Sequence, residues 1–251
     1  FTASRGVRFS EGGPPMVPRI PEMDLIRVIE EFFRFCKYSS LCPIAADKFC
    51  NLPIFTVVNF LAHIYLSFGD PQLTLGNFMA DSIRGKRYLA YPEPLQKGVL
   101  LHRAIDSFTD THPIPRQSSR RLHARYSHYS RVIVDIYYDH FLARNWQSYC
   151  ETPLERYTAD FYSLLSKNLH LMPDRVQRMA PYMIADNWLL SYRELEGIRK
   201  VLAGMNRRTG LQSGMDRAVE DLRAHYGAFQ AEFTAFFEEL IIFSKQKITS
   251  L

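Results

Sequence analysis

The chain has 251 residues, a formal net charge of +5, and 47% hydrophobic against 23% charged residues. Those values exclude a disordered or fibrous chain, are large enough to bury a core, and carry a mild basic excess that suits an acidic partner. No apolar run reaches the roughly 20 residues of a membrane span; the nearest, residues 53–68, contains Asn59 and His63. Four cysteines (Cys36, Cys42, Cys50, Cys150) form no CxxC pair. They read as free thiols in a reducing compartment, with the cytoplasm as the default.

Residues 1–22 are rich in glycine and proline and read as a tail. Over residues 23–38, Leu25, Ile26, Ile29, Phe32, Phe33 and Cys36 share one helical face. Residues 1–57 together are expected to be an appendage to a domain spanning 58–251. It is either an upstream extension or a genuine N-terminal helix that packs on the domain.

From Val58 onward the periodicity predicts helices over 71–84, 93–110, 116–127, 130–147, 153–168, 174–204 and 215–240. Pro113 and Pro115 break the second from the third. Pro173 and Pro181 punctuate the later segments, and Gly204, Gly210 and Gly214 mark a loop. No run alternates with the period of a strand. The fold class is all-α, a single domain of about seven or eight helices.

Histidines and aspartates concentrate between positions 63 and 140. His63 sits in the apolar segment NFLAHIYL, and Asp81 closes GNFMAD. His102, Asp106 and Asp110 recur every four residues and form one column on a helix. Asp135 and Asp139 form a second column on another helix, followed by His140. Both helices are rich in apolar residues, and a buried carboxylate without a compensating charge is costly. A divalent metal would supply that charge, and imidazole plus carboxylate suits zinc, manganese or iron. Each residue also has a plainer reading. His63 would be a hydrogen-bonded core residue, Asp81 and Asp110 caps, Asp139 the partner of an arginine, and His112 an exposed loop residue. A second theme is basic: Arg116, Arg120, Arg121 and Arg125 fall in one short helix, and Arg103 adjoins His102. Such residues bind phosphate or an acidic protein surface. No nucleic-acid-binding motif is present.

Five segments, VNFLAHIYLS, GNFMADSIRGK, LHRAIDSFTDTHP, DIYYDHFLARNW and NWLLSYRELEGIRKVLAGMNRR, run in order over about residues 58–240. Together they resemble the acyl carrier protein phosphodiesterase family. Members usually open Met-Asn-Phe-Leu-Ala-His, and here Val58 precedes Asn59, as a valine-coded start would. The resemblance implies a divergent HD-type metal-dependent phosphohydrolase that uses manganese, with Mg2+, Fe2+ or Zn2+ as alternatives. The implied reaction removes 4′-phosphopantetheine from a serine of holo-acyl carrier protein.

Carried onto this chain, the resemblance implies His63, His102, Asp106 and Asp139 as ligands, and Asp81 as a further ligand or a water-orienting base. His140 or His112 would protonate the leaving group, and Arg103 would clamp a phosphoryl oxygen. The Arg116–Arg125 helix would dock the acidic carrier. The usual HD signature has His and Asp adjacent. Here one pair is inverted (Asp139-His140) and the other is split (His102-x3-Asp106). Two other functions fit the same residues: an HD-type hydrolase of nucleotides or other small phosphoesters, and a helical module that binds an acidic partner without catalysis.

Overall fold

The structure, a computed structural model, describes residues 59–251. The predicted 23–38 helix and three of the four cysteines lie outside the described residues, and Cys150 is a free thiol. The fold is all-α, with no strand among the described residues. Its α-helices are α1 (Phe60–Tyr65), α2 (Pro71–Met79), α3 (Glu93–Thr111), α4 (Pro113–Tyr126), α5 (Ser130–Arg144), α6 (Leu154–Lys167), α7 (Asp174–Ala185), α8 (Trp188–Ser191), α9 (Leu195–Arg208), α10 (Ala218–Ala224) and α11 (Tyr226–Thr249). No helix among these residues is long and apolar enough to cross a membrane.

Several boundaries differ from the sequence expectation for identifiable reasons. The 71–84 helix ends at Met79 and tightens into a 3₁₀ turn over Ala80–Ser82, which carries Asp81. Pro113 and Pro115 lie in the first turn of α4, where the missing N–H has no helical partner to lose. The 174–204 segment divides into three. Asn187 adopts left-handed backbone (φ 44°) and ends α7, whereas Pro181 stays inside that helix. Gly204 continues α9, while Gly210 and Gly214, both at φ 63°, make the loop.

Helix α5 is buried on nearly every side from Ile133 to Ala143, as expected of a helix at the centre of a bundle. Helix α11 lays Phe229, Phe233 and Phe236 against its Tyr137, Tyr138 and Phe141. Phe233 stacks on both Phe237 and Phe141, at centroid distances of 5.0 and 5.9 Å. These contacts account for much of the aromatic content, since such rings supply large buried area and favourable edge and offset contacts.

Helices α2 and α3 cross at close range. A Cβ on Gly76 would sit 2.3 Å from the Leu95 carbonyl oxygen, and one on Gly98 would sit 2.5 Å from that of Leu73. Only hydrogen fits at either position. This crossing brings Asn77 on α2 against His102 on α3.

Candidate metal centre

His63 on α1 and His102 on α3 are buried, with rings stacked at 4.0 Å between centroids. Between them lies Asn77, which the sequence reading missed. Its Nδ2 donates to the His63 carbonyl (2.8 Å) and to Ser67 Oγ (3.1 Å). A carbonyl only accepts, so this bond sets the orientation of the amide. Asn77 Oδ1 therefore faces the two rings and accepts from His63 Nδ1 (2.8 Å) and His102 Nδ1 (3.2 Å). Both Nδ1 atoms carry hydrogen, and both Nε2 atoms point the other way.

Asp106, one turn after His102, reaches both Nε2 atoms. Its Oδ2 is 3.1 Å from His102 Nε2 and its Oδ1 is 3.2 Å from His63 Nε2. The second contact is misaligned for a hydrogen bond, so His63 Nε2 is a buried nitrogen without a hydrogen-bond partner. The ligand atoms of His63, His102 and Asp106 all lie within 4.8 Å of one another. That spacing suits three donors about 2 Å from one cation. Protonating both Nε2 atoms instead would stack two cations at 4.0 Å, a repulsion of about 4 kcal/mol at an effective dielectric of 20. The donor set thus fits a divalent metal, with Asn77 fixing the tautomer of both histidines.

Asp81 places Oδ1 3.1 Å from His102 Nε2, beside the three-residue cluster. Burial opposes charge on His102, but its bonds to Asp106 and Asp81 outweigh it and raise its pKa to about 10. Burial likewise opposes ionisation of Asp106, but His102 and His63 hold its carboxyl well below the usual range. The two carboxylates thus favour the imidazolium form of His102, and a cation held at Nε2 would have to displace that proton. Metal affinity is expected to rise with pH from 6 to 9, with close to one proton released per ion at pH 8. Calorimetry in buffers of different ionisation enthalpy measures that number. Manganese is also expected to raise the melting temperature of chelator-treated protein.

A pocket of about 830 Å³ opens from this cluster. Its lining includes Asp81, Asp106, Asp110 and Asp135 together with Arg116, Arg120, His123 and Arg131.

Residues 58–240 match the family model described as acyl carrier protein phosphodiesterase. The chain belongs to the acyl carrier protein phosphodiesterase family. It is 32% identical over 189 residues to the acyl carrier protein phosphodiesterase of Pectobacterium atrosepticum, covering 75% of this chain and 98% of that protein. Identity to that of Photorhabdus laumondii is 33% over 181 residues, 72% of this chain and 91% of that protein. No solved structure matches the chain.

The remaining residues that the family resemblance nominated are placed elsewhere. Asp139 is outside the cluster. Its two oxygens accept from the backbone N–H groups of Leu61 (3.0 Å) and Ala62 (2.9 Å). These are unpaired donors at the start of α1, which Asn59 does not cap with its own side chain. Burial pushes the Asp139 carboxyl up to about 8 against the pull of those two donors. Asp139 is thus a cap supplied from α5, and it positions the helix that carries His63.

His140 lies about 100° round α5 from Asp139 and faces away from the pocket. Its Nδ1 donates to the Tyr192 carbonyl (2.8 Å) and its Nε2 accepts from the Tyr226 hydroxyl (3.0 Å). Burial lowers its pKa, and both ring nitrogens are engaged by partners away from the pocket. His112 caps α4: Nδ1 accepts from Ile114 N–H (3.3 Å) and Nε2 donates to Glu239 (3.2 Å). Arg103 donates to the carbonyls of Ile83 (3.1 Å) and Gly85 (2.7 Å), with its guanidinium over the Tyr88 ring. It pins the loop after Asp81 and does not line the pocket.

The arginines of α4 divide by face. Arg121 makes a bidentate pair with Glu232 on α11 (2.8 and 2.6 Å), and Arg125 pairs with Asp221 on α10 (2.6 Å). These two hold helices together. Arg116 and Arg120, one turn apart, line the pocket. Arg116 Nε donates to the Asp110 carbonyl (2.9 Å), and Arg120 has no ion pair among the described residues.

Proposed function

We propose that this chain hydrolyses the phosphodiester joining 4′-phosphopantetheine to the serine of holo-acyl carrier protein, releasing apo-carrier and free 4′-phosphopantetheine. The observation that carries the reading is the convergence of His63, His102 and Asp106 beside a pocket that Arg116, Arg120 and Arg131 also line. His63, His102 and Asp106 hold a divalent cation, with manganese the first choice for this imidazole–carboxylate set. When bound, the cation activates water and offsets charge on the phosphoryl oxygens. Asp81, against His102 at the pocket wall, orients the attacking water and takes its proton. Asn77 keeps both imidazoles in the tautomer that leaves Nε2 free to ligate.

The test is to incubate the protein with manganese and holo-carrier and weigh the carrier. Loss of the phosphopantetheine mass supports the reading. Retention of the group by protein shown to contain metal sinks it.

Docking of the acidic carrier falls to the Arg116 and Arg120 face. The double reversal Arg116→Glu/Arg120→Glu is expected to raise KM for holo-carrier at least about tenfold, chiefly at low ionic strength. Turnover of a small phosphodiester should be unchanged. Arg125→Glu, on the other face, is expected to leave KM within about twofold, because surface pairs contribute little. Equal KM effects from both faces would rule out this docking site.

A further inference from the structure

Asp135 is a pocket residue that the reading above leaves without a task. It lies on α5 one turn before Asp139, and it lines the same pocket as Asp81 and Asp106. Its neighbour Asp139 has both oxygens occupied by backbone N–H groups. Asp135 makes no hydrogen bond or ion pair to any described residue. Four carboxyl groups surround it. Asp106 and Asp110 come from α3, Asp81 from the 3₁₀ turn after α2, and Asp139 from its own helix. Of the basic residues that line the pocket, Arg131 pairs with the Asp110 carboxylate (3.4 Å) and Arg116 bonds the Asp110 carbonyl, while Arg120 and His123 on α4 make no ion pair to Asp135.

We propose that Asp135 is the general acid that protonates the serine oxygen as it leaves phosphorus. The proposal rests on the phosphodiesterase reading and adds a group that this reaction requires. Water oxygen bonds to phosphorus, and the bond from phosphorus to serine Oγ breaks. Its electron pair stays on Oγ, which takes the Asp135 proton. The proton of the attacking water passes to Asp81, and Asp135 regains a proton from solvent. An alkoxide is a poor leaving group, so this transfer carries a large share of the barrier. The setting keeps Asp135 in its acid form: burial and the surrounding carboxylates raise its pKa well above the ordinary value. Burial and Asp110 still act on it when a cation offsets the charge of Asp106 and Asp81.

The leaving group separates this role from others. Asp135→Asn is expected to lower kcat on holo-carrier about 10²- to 10⁴-fold. Bis(p-nitrophenyl) phosphate, whose phenolate leaves without a proton, should be hydrolysed within about threefold of the wild-type rate. The alkaline limb of the pH profile on holo-carrier should vanish, and Asp135→Glu should restore part of the rate. Melting temperature and metal content should match the wild type. Equal loss on both substrates, a lower metal content, or an undiminished rate on holo-carrier would each overturn the proposal. Wild-type protein inactive on holo-carrier but active on the small diester would instead reject the carrier as substrate.

Discussion

Asp106→Ala is expected to lower kcat/KM on holo-acyl carrier protein by at least about 10³-fold, because loss of a metal's charge stabilisation is worth several kcal/mol. Asp106 is the one residue that touches both Nε2 atoms, so its removal opens the cluster. The fold should survive. Asp106 is half-exposed at the pocket wall and makes no contact that holds two helices together other than through the histidines. The rise in melting temperature with manganese should disappear, while the metal-free protein unfolds cooperatively as before. Elemental analysis and a thermal scan check both halves. Full activity together with bound metal would remove Asp106 from the site.

Asp139→Ala is expected to act differently, on stability first. It leaves the N–H groups of Leu61 and Ala62 unpaired in a buried setting, at about 1–3 kcal/mol each. A loss of about 3–4 kcal/mol, read as a lower denaturant midpoint with unchanged slope, is a large part of an ordinary folding free energy. Asp139→Asn keeps one acceptor oxygen and should lose about half of that. In the folded fraction, metal affinity should fall about 10- to 100-fold, the usual effect of disturbing a group that orients a ligand. One equivalent of metal should still bind at saturation. Failure of Asp139→Asn to bind metal at an unchanged melting temperature would make Asp139 a ligand after all.

The two aspartates are alike in sequence, each on an apolar helix in a four-residue column. Position 106 could be read because its partner His102 lies one turn away on the same helix, where spacing alone sets the distance. Position 139 could not, because its partners are 77 and 78 residues away at the start of α1. The partners of His140 and His112 are distant for the same reason: Tyr192, Tyr226 and Glu239 arrive from later helices and take up their nitrogens. Among the arginines, Arg121 and Arg125 look identical to Arg116 and Arg120 until α11 and α10 supply Glu232 and Asp221. Asn77 escaped notice because an amide does not titrate. The available signal was a polar residue inside the buried run LTLGNFMA, beside a glycine that leaves no room for a side chain.

Helix content, the proline and glycine breaks, the His102–Asp106 column and the family resemblance were all present in the linear chain, since each depends on residues within a few turns of one another. The meeting of His63 with that column was not. It depends on α2 crossing α3 at Gly76 and Gly98, and on Asp139 holding the start of α1. Spacing along a helix fixes which side chains share a face. Which of those faces a second helix covers, and with what charge, is set by packing between distant segments, where local periodicity carries no information.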